Sequence, residues 1–424
     1  MKESHSLHQE AQKSYVVSTY SGEAYRAEAE ASMKELCDLV HTMGLDIAGK
    51  NIINLKAPHA KFFLGTGKVE EISQEAQEFG AECIIFDQDL SPRQQRNLEQ
   101  FTGLCVIDRQ EVILQIFADR ASTKEAVLQV TLARLEYSLP RLTRAWTHLS
   151  RQRGGTRGTR GEGEKQLEID RRIAVKRIAK TKEELKKVKS HRETQRKQRR
   201  TLPIPTGAIV GYTNSGKSSL LNALSCADVL VEDKLFATLD PTTKKVLLPG
   251  GSEILLTDTV GFIRNLPHDL IEAFTSTLEE SVYSDFLVIM LDASDPQVKQ
   301  QYETTMEVLR DLSCLDRPIV VVFNKIDLCD GDYTHLNQIR DKHPRHVCVS
   351  VREGIHMDLL VRAVEEALYE RYEERTYSLP VHRFDLLEYV RKHGRILSER
   401  YDKDSIEITA QVPPQFLPTL QKFA

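Results

Sequence analysis

The chain has 424 residues, of which 40% are hydrophobic and 28% charged, with a formal net charge of −4. Such a composition fits a globular protein of two to four domains. It excludes a disulfide-framed secreted chain, because the seven cysteines (37, 83, 105, 226, 314, 329, 348) are scattered with no Cys-x-x-Cys pair, and an integral membrane protein, because runs such as Phe286–Leu291 are too short to span a bilayer.

The thirteen histidines show no metal-ligand spacing coupled to the cysteines, and Met1–His8 carries no apolar signal core. A cytosolic protein with reduced, apolar-packed thiols is expected.

Residues 14–120 read as alternating strands and helices. Lys61–Leu64 predicts a short strand, Val69–Phe79 a helix, Cys83–Phe86 a strand, Ser91–Phe101 a helix and Leu104–Ile107 a strand. Alternation of this kind predicts a parallel sheet with crossover helices. Ser91-Pro92 supplies a helix cap followed by proline at the first helical position. Gly65-Thr-Gly-Lys68 superficially resembles a phosphate loop, but Phe62 stands where the first glycine belongs and Val69 replaces the required Ser/Thr. It reads as a turn into a helix.

From Ser122 to Leu149 the pattern becomes helical. Leu128, Leu132, Leu135, Leu139, Leu142, Trp146 and Leu149 recur at alternating spacings of four and three, a coiled-coil seam that Pro140 should kink. A second helix is predicted from Glu164 to Arg200, ~55 Å if continuous, with the stripe Leu167, Ala174, Ile178, Leu185 and Val188. The two most simply form an antiparallel hairpin. Its tip, Arg151–Gly163, holds five glycines and four arginines. Glycine allows close backbone approach and arginine contacts phosphate and stacks on bases, so RNA contact is favoured over a flexible linker, which is rarely this rich in arginine. Residues 151–200 carry 19 Lys/Arg against 7 Asp/Glu, leaving the rest of the chain acidic. Charge alone permits either a nucleic-acid surface or a solvated helix face.

Thr201–Thr206 is a proline-rich boundary. Beyond it Ala208-Ile-Val210 reads as a buried strand, Gly211-Tyr-Thr-Asn-Ser-Gly-Lys-Ser218 fits the phosphate loop G-x-x-x-x-G-K-[ST], and Ser219–Ser225 begins a helix. The glycines let backbone N–H groups wrap a phosphate and the helix N-terminus favours negative charge. Lys217 is placed to reach the β- and γ-phosphates, and Ser218 to bind Mg²⁺. A Gly/Ser turn matching by accident is the alternative for the motif taken alone.

Four further motifs follow in the order a GTPase requires. Phe236-Ala-Thr-Leu-Asp-Pro-Thr-Thr243 offers a threonine for Mg²⁺ and γ-phosphate; Thr238 is preferred, with Thr242 and Thr243 as competitors. Asp258-Thr-Val-Gly261 ends a strand, with Asp258 toward Mg²⁺ and the Gly261 amide toward γ-phosphate. Asn324-Lys-Ile-Asp327 follows the apolar run Ile319–Phe323. Asp327 can accept from N1–H and the 2-amino group of guanine, donors that adenine lacks, and unmet polar groups of this kind discriminate by ~10⁴-fold. Asn324 would tie this motif to the phosphate loop, and the Lys325 stem would pack on the base. Ser350-Val351-Arg352 can offer a backbone amide to guanine O6.

Nucleotide-binding residues are therefore expected at Gly211, Tyr212, Thr213, Asn214, Ser215, Gly216, Lys217 and Ser218; at Phe236, Ala237, Thr238, Leu239 and Asp240; at Asp258, Thr259, Val260 and Gly261; and at Asn324, Lys325, Ile326, Asp327, Ser350, Val351 and Arg352. Metal ligands are expected at Ser218, Thr238 and Asp258, and the catalytic set is Lys217, Thr238, Gly261 and Asn214. Phe262 occupies the position after Asp-x-x-Gly where many GTPases place a water-orienting glutamine, so slow intrinsic hydrolysis is expected. Asn214 can either coordinate K⁺ near the β–γ bridge, supplying charge that an arginine finger otherwise provides, or merely stabilise the turn. The chain ends in a small α/β appendix, with a helix at Phe384–His393 and strands at Ile396–Tyr401 and Ile406–Gln411.

These segments resemble the HflX family of ribosome-associated GTPases, within the Obg-like group, over nearly the whole chain. The resemblance rests on Phe63–Glu71, Phe86–Asn97, Val106–Arg109, Leu128-Gln129, Leu135–Tyr137, Leu139–Leu142, Gln166–Arg172, the phosphate loop, Phe236–Pro241 and Asp258–Ile263. It departs at Gly161-Glu-Gly-Glu-Lys165, where the family usually reads Gly-Pro-Gly-Glu-Thr, and at Ser350-Val351, where it usually reads Ser-Ala.

The resemblance implies a multi-domain α/β protein. A P-loop GTPase domain (206–372) is preceded by an N-terminal α/β domain (1–121) and a long helical hairpin (122–205), and followed by a small α/β C-terminal domain (373–424). It implies Mg²⁺ held through Ser218 and Thr238, and binding to the ribosome through large-subunit rRNA, the Gly/Arg loop reaching toward the peptidyl-transferase centre. It implies a role in splitting or rescuing ribosomes under stress.

A cytoplasmic monomer without an integral membrane segment is expected, peripheral membrane association being left open. The alternative is a GTP-switched RNA-binding or assembly factor in which hydrolysis is only a timer. An RNA-modification GTPase lacks a catalytic cysteine-bearing C-terminus here, and Asn-Lys-x-Asp disfavours ATP.

Overall fold

The computed structural model describes residues 12–142, 160–200, 204–225, 235–264 (except 237 and 250), 281–413 (except 330, 332, 371, 403 and 404) and 420. The chain divides into two compact units, one running to Lys187 and the other starting at Val188, inside a long helix.

The first unit opens on β1 (Lys13–Tyr20), α1 (Arg26–Thr42) and β2 (Asp46–Asn54), then α2 (Thr66–Glu78), β3 (Cys83–Phe86), α3 (Pro92–Thr102), β4 (Cys105–Asp108) and α4 (Arg109–Arg120). The sheet is parallel throughout, in the order β2-β1-β3-β4. Tyr15, Val17, Ile84, Phe86 and Val106 pack under α2 and α3 through Val69, Ile72, Ala76 and Leu98. Ser91 caps α3 with a reciprocal capping box, its side chain accepting from the Gln94 amide while Gln94 accepts from the Ser91 amide.

One expectation is corrected here. Lys61–Leu64 is a turn, not a strand: Phe63 takes the left-handed region at φ 67° and closes a bridge with His59. Its apolar residues plug the core ahead of α2, with Gly65 as the N-cap. The helix expected from Ser122 to Leu149 is α-helical up to Ser138, and its residues beyond Leu142 lie outside the described residues. α5 covers Lys124–Ser138, and Leu139–Arg141 forms a 3₁₀ turn with Pro140 near its start. Proline lacks the N–H that an α-helix needs there, so α-helical hydrogen bonding is interrupted at this point, as expected of a local kink. Trp146 and Leu149 lie outside the described residues. In α5 the buried face is Ala126, Gln129, Val130 and Ala133, packed toward α4, while Leu128, Leu132 and Leu135 are half-buried beside it.

α6 runs from Arg160 to Arg200. Ala174, Thr181 and Leu185 are its buried positions, with Ile178 and Val188 half-buried. Thr181 completes the four-and-three stripe where an apolar residue was not expected. Arg151, Arg153 and Arg157 lie outside the described residues, and Arg160–Gly163 form the first turn of α6.

The second unit is built on β5 (Thr206–Gly211), α7 (Lys217–Ser225), β6 (Thr242–Leu247), β7 (Glu253–Asp258), β8 (Phe286–Asp292), α8 (Val298–Asp311), β9 (Ile319–Asn324), β10 (His346–Cys348) and α9 (Met357–Tyr369). The sheet order is β10-β9-β8-β5-β7-β6, parallel except for β6, which runs antiparallel to β7. β5 lies at the point where the strand order reverses, the place where open α/β sheets bind ligands beyond their strand ends. Strands β5, β8 and β9 are apolar runs buried on both faces, as central parallel strands should be. The chain then forms a three-stranded antiparallel sheet, β11 (Glu373–Pro380), β13 (Ser405–Val412) and β12 (Arg395–Tyr401), covered by α10 (Phe384–His393).

Candidate functional site

The loop between β5 and α7 folds as its sequence requires. Gly216 adopts φ 97°, and a Cβ there would lie 2.3 Å from the Asn324 amide nitrogen. Glycine is thus required both for the left-handed turn and for the close approach of a second motif. Asn324 Nδ2 donates to Ser215 O at 2.9 Å, while its Oδ1 accepts from the Val351 amide at 3.0 Å. One side chain thereby ties the phosphate loop, the Asn-Lys-x-Asp strand end and the Ser350-Val351 turn together.

Asp258 closes β7. Ser218 Oγ donates to its Oδ2 at 2.6 Å, Thr238 Oγ1 donates to the same oxygen at 2.9 Å, and the two hydroxyls lie 2.8 Å apart. With the carboxylate ionised, two hydroxyl protons serve three short contacts. Asp258 Oδ1 is buried with no hydrogen-bond partner. Burial pushes the Asp258 carboxyl up, against the opposing pull of Lys217 and these donors. Hard oxygen ligands so clustered fit Mg²⁺, which is held by one or two carboxylates or hydroxyls together with substrate phosphates. Among the described residues no group of three or more His, Cys, Asp and Glu side chains is placed to hold a metal ion. Thr242 instead pairs with Asp258 across the β6–β7 ladder, and Thr243 Oγ1 meets Thr257 Oγ1 at 2.9 Å.

Lys217 is buried, its ammonium donating to Tyr212 O at 2.6 Å and Gly211 O at 3.1 Å. Burial lowers its pKa to about 8, partly offset by Asp258. Backbone carbonyls are weak partners for a desolvated cation, so an anion is the missing complement. Gly261 sits against this ammonium: a Cβ there would be 3.0 Å from Lys217 Nζ and 2.8 Å from Thr213 Cα.

Around these groups lies a cavity of about 550 Å³. It brings together Thr213, Asn214, Gly216, Lys217, Ser218, Phe236, Thr238, Thr259, Gly261, Asn324, Lys325, Asp327, Ser350, Val351 and Arg352. Gly211, Tyr212, Ser215, Leu239, Asp240, Asp258, Val260 and Ile326 do not line it, and Ala237 lies outside the described residues. Tyr212 has a different placement. Its hydroxyl accepts from the Arg264 amide at 2.8 Å, and its backbone bridges to Phe262. The Phe262 ring is buried, turned into the protein rather than toward the cavity. Asn214 is exposed, in the left-handed region at φ 59°.

Four lining residues were not anticipated: Ser219, Asn222, Ala223 and Leu328. Ser219 follows the motif serine, and Asn222 stands one turn beyond Ser218, so helical spacing from Lys217 carries the signal. Asp292 was also missed. It ends β8 in register with Asn324 and pairs with Lys325 Nζ at 2.7 Å, orienting that side chain.

Comparison with known proteins places this geometry. The model for the GTP-binding GTPase N-terminal region matches residues 30–118, that for the GTP-binding GTPase middle region matches 120–199, and that for the 50S ribosome-binding GTPase matches 206–325. A protein of Akkermansia muciniphila named GTPase HflX is 47% identical over 422 residues, covering 97% of each chain. The Escherichia coli protein of the same name is 40% identical over 375 residues, covering 88% of this chain and 85% of its own. Among solved structures, SsGBP in complex with GDP is 26% identical with a TM-score of 0.51, covering 85% of this chain and 99% of its own.

Proposed function

The chain belongs to the HflX family of GTPases, and from that premise we propose that it is a Mg²⁺-dependent GTPase that binds the large ribosomal subunit in its GTP state and leaves on hydrolysis. The observation that carries the nucleotide part is the convergence of Lys217, Ser218, Thr238, Asp327 and Val351, each from a separate motif except the first two, on one cavity.

Lys217 holds the β- and γ-phosphates, exchanging its two carbonyl partners for phosphate oxygens. Ser218 and Thr238 would offer hydroxyls to Mg²⁺, with Asp258, which accepts from both, behind them and reaching the ion through water; the ion would supply positive charge against the phosphates. The Gly261 amide faces the γ-phosphate. Asp327 reads the guanine edge while Lys325, held by Asp292, flanks the base.

The buried Phe262 ring orients no water, so intrinsic hydrolysis is slow and the ribosome completes the site. Asn214, exposed at the cavity, is the residue proposed to hold K⁺ beside the phosphates. Hydrolysis is then expected to run faster in KCl than in NaCl at equal ionic strength; equal rates would remove that role.

The ribosomal part is supported by the family model that matches the GTPase region and by the basic α6 segment. Co-sedimentation with 50S and 70S particles in GTP, GDP and a non-hydrolysable analogue tests it. Retention with the analogue and release with GDP is expected. Binding that ignores the nucleotide would leave the alternative of an RNA-binding or assembly factor with hydrolysis as a timer.

A further inference from the structure

Two thiols of the N-terminal sheet take no part in the nucleotide site. Cys83 is the first residue of β3 and Cys105 the first of β4. They are direct partners in the parallel register, followed by Ile84 with Val106 and Ile85 with Ile107. The ladder is closed up to the pair, since the Cys105 amide donates to Glu82 O at 3.3 Å. Neighbouring strands lie about 4.8 Å apart, and residues in register project to the same face. This separation falls inside the Cα range of about 4.4–6.8 Å that a disulfide spans. Both thiols are free, Cys105 exposed and Cys83 partly so.

We propose that Cys83 and Cys105 form a reversible cross-strand disulfide, with a low-molecular-weight disulfide such as glutathione disulfide as the oxidant. The Cys105 thiolate attacks one sulfur of the oxidant, forming a mixed disulfide and releasing one thiol. Cys83 then gives up its proton, its sulfur attacks the Cys105 sulfur, and the second thiol leaves. Two protein thiols are oxidised and one small disulfide is reduced to two thiols. The order follows from accessibility, because only Cys105 is exposed. A bridge at an exposed sheet margin is of the reducible kind, suited to a redox response rather than to holding the fold.

The test uses the full chain equilibrated in glutathione buffers of rising oxidised fraction, acid-quenched, alkylated and digested for mass spectrometry. A peptide linking Cys83 to Cys105 is expected to rise with glutathione disulfide and vanish with dithiothreitol. In Cys83→Ser a glutathione adduct should accumulate on Cys105. In Cys105→Ser, modification of Cys83 should fall at least tenfold. A stable glutathione adduct on Cys105 of the unsubstituted chain, or both thiols alkylated throughout with no linked peptide, would overturn the proposal.

Discussion

The two units each carry a mainly parallel sheet with charged residues at or just beyond some of its strand ends, and the two sheets differ in what those residues hold. In the N-terminal sheet the charged side chains pair with one another. Arg109, 2% exposed, donates to Asp87 at 2.8 Å and to Glu35, and Asp87 also accepts from Ser18 at 2.9 Å. Asp108 accepts from Tyr137 at 2.8 Å, from Arg141 at 3.2 Å and from the Leu90 and Glu111 amides. In the second sheet, among the described residues, Lys217 donates to two carbonyls and lines a cavity, and Asp258 keeps one oxygen without a hydrogen-bond partner. Strand-end polarity alone therefore does not mark a site. Incomplete satisfaction beside open volume does.

The comparison can be broken by substitution. Asp327→Asn replaces one of the two acceptor oxygens for guanine with an NH₂ donor and is expected to lower the preference for GTP over xanthosine triphosphate by up to about 10⁴-fold, read by competition binding; an unchanged preference would place guanine elsewhere. Lys217→Ala should cost about 10²–10³-fold in kcat/KM for GTP with little loss of stability in the nucleotide-free protein, since its buried ammonium is poorly partnered. Arg109→Met should do the reverse. It leaves Asp87 buried without its partner, which costs about 3–5 kcal/mol in denaturant unfolding of the first unit, at unchanged GTP affinity. If both substitutions reduced stability alike, the contrast between the two sheets would fail.

The smallest effect concerns pH. A phosphate raises the pKa of Lys217 from its free value of about 8, so binding takes up a proton at higher pH. Nucleotide affinity should then fall above that pH, by no more than about tenfold per unit. Calorimetry in two buffers of different ionisation enthalpy measures the uptake, and its absence would mean that Lys217 is already charged. In the free protein the sign follows the same linkage. The folded pKa lies below the unfolded one, so this group adds stability as pH rises from about 8 toward 10.5.

Much of the candidate site was legible in the sequence because its motifs are local, and the cavity brings most of them together. Gly216, Lys217 and Ser218 are fixed by one loop, and Asn324–Asp327 by one strand end. What escaped was set by chain partners remote in sequence. Asp292 acts through its register with Asn324, and no spacing announces that. The N-terminal strands β1 and β2 were not delineated, and β2 is mostly half-buried, so it lacks a strong apolar run. Lys61–Leu64 looks like a strand by apolarity alone, and only the left-handed Phe63 shows it to be a turn. The leucines Leu128, Leu132 and Leu135 of α5 are half-buried, and the adjacent face with Ala126 and Val130, on an element that contacts α4, is the one fully buried.

The central claim is that the second sheet end, and not the first, is a single guanine-nucleotide site. Its most direct test is a titration of the full chain with fluorescent GDP in Mg²⁺, competed by GTP and ATP and repeated for Asp327→Asn and Arg109→Met. One site is predicted, displaced by GTP but not by ATP, weakened by Asp327→Asn and untouched by Arg109→Met. Equal displacement by ATP, or binding lost with Arg109→Met and kept with Asp327→Asn, would contradict it.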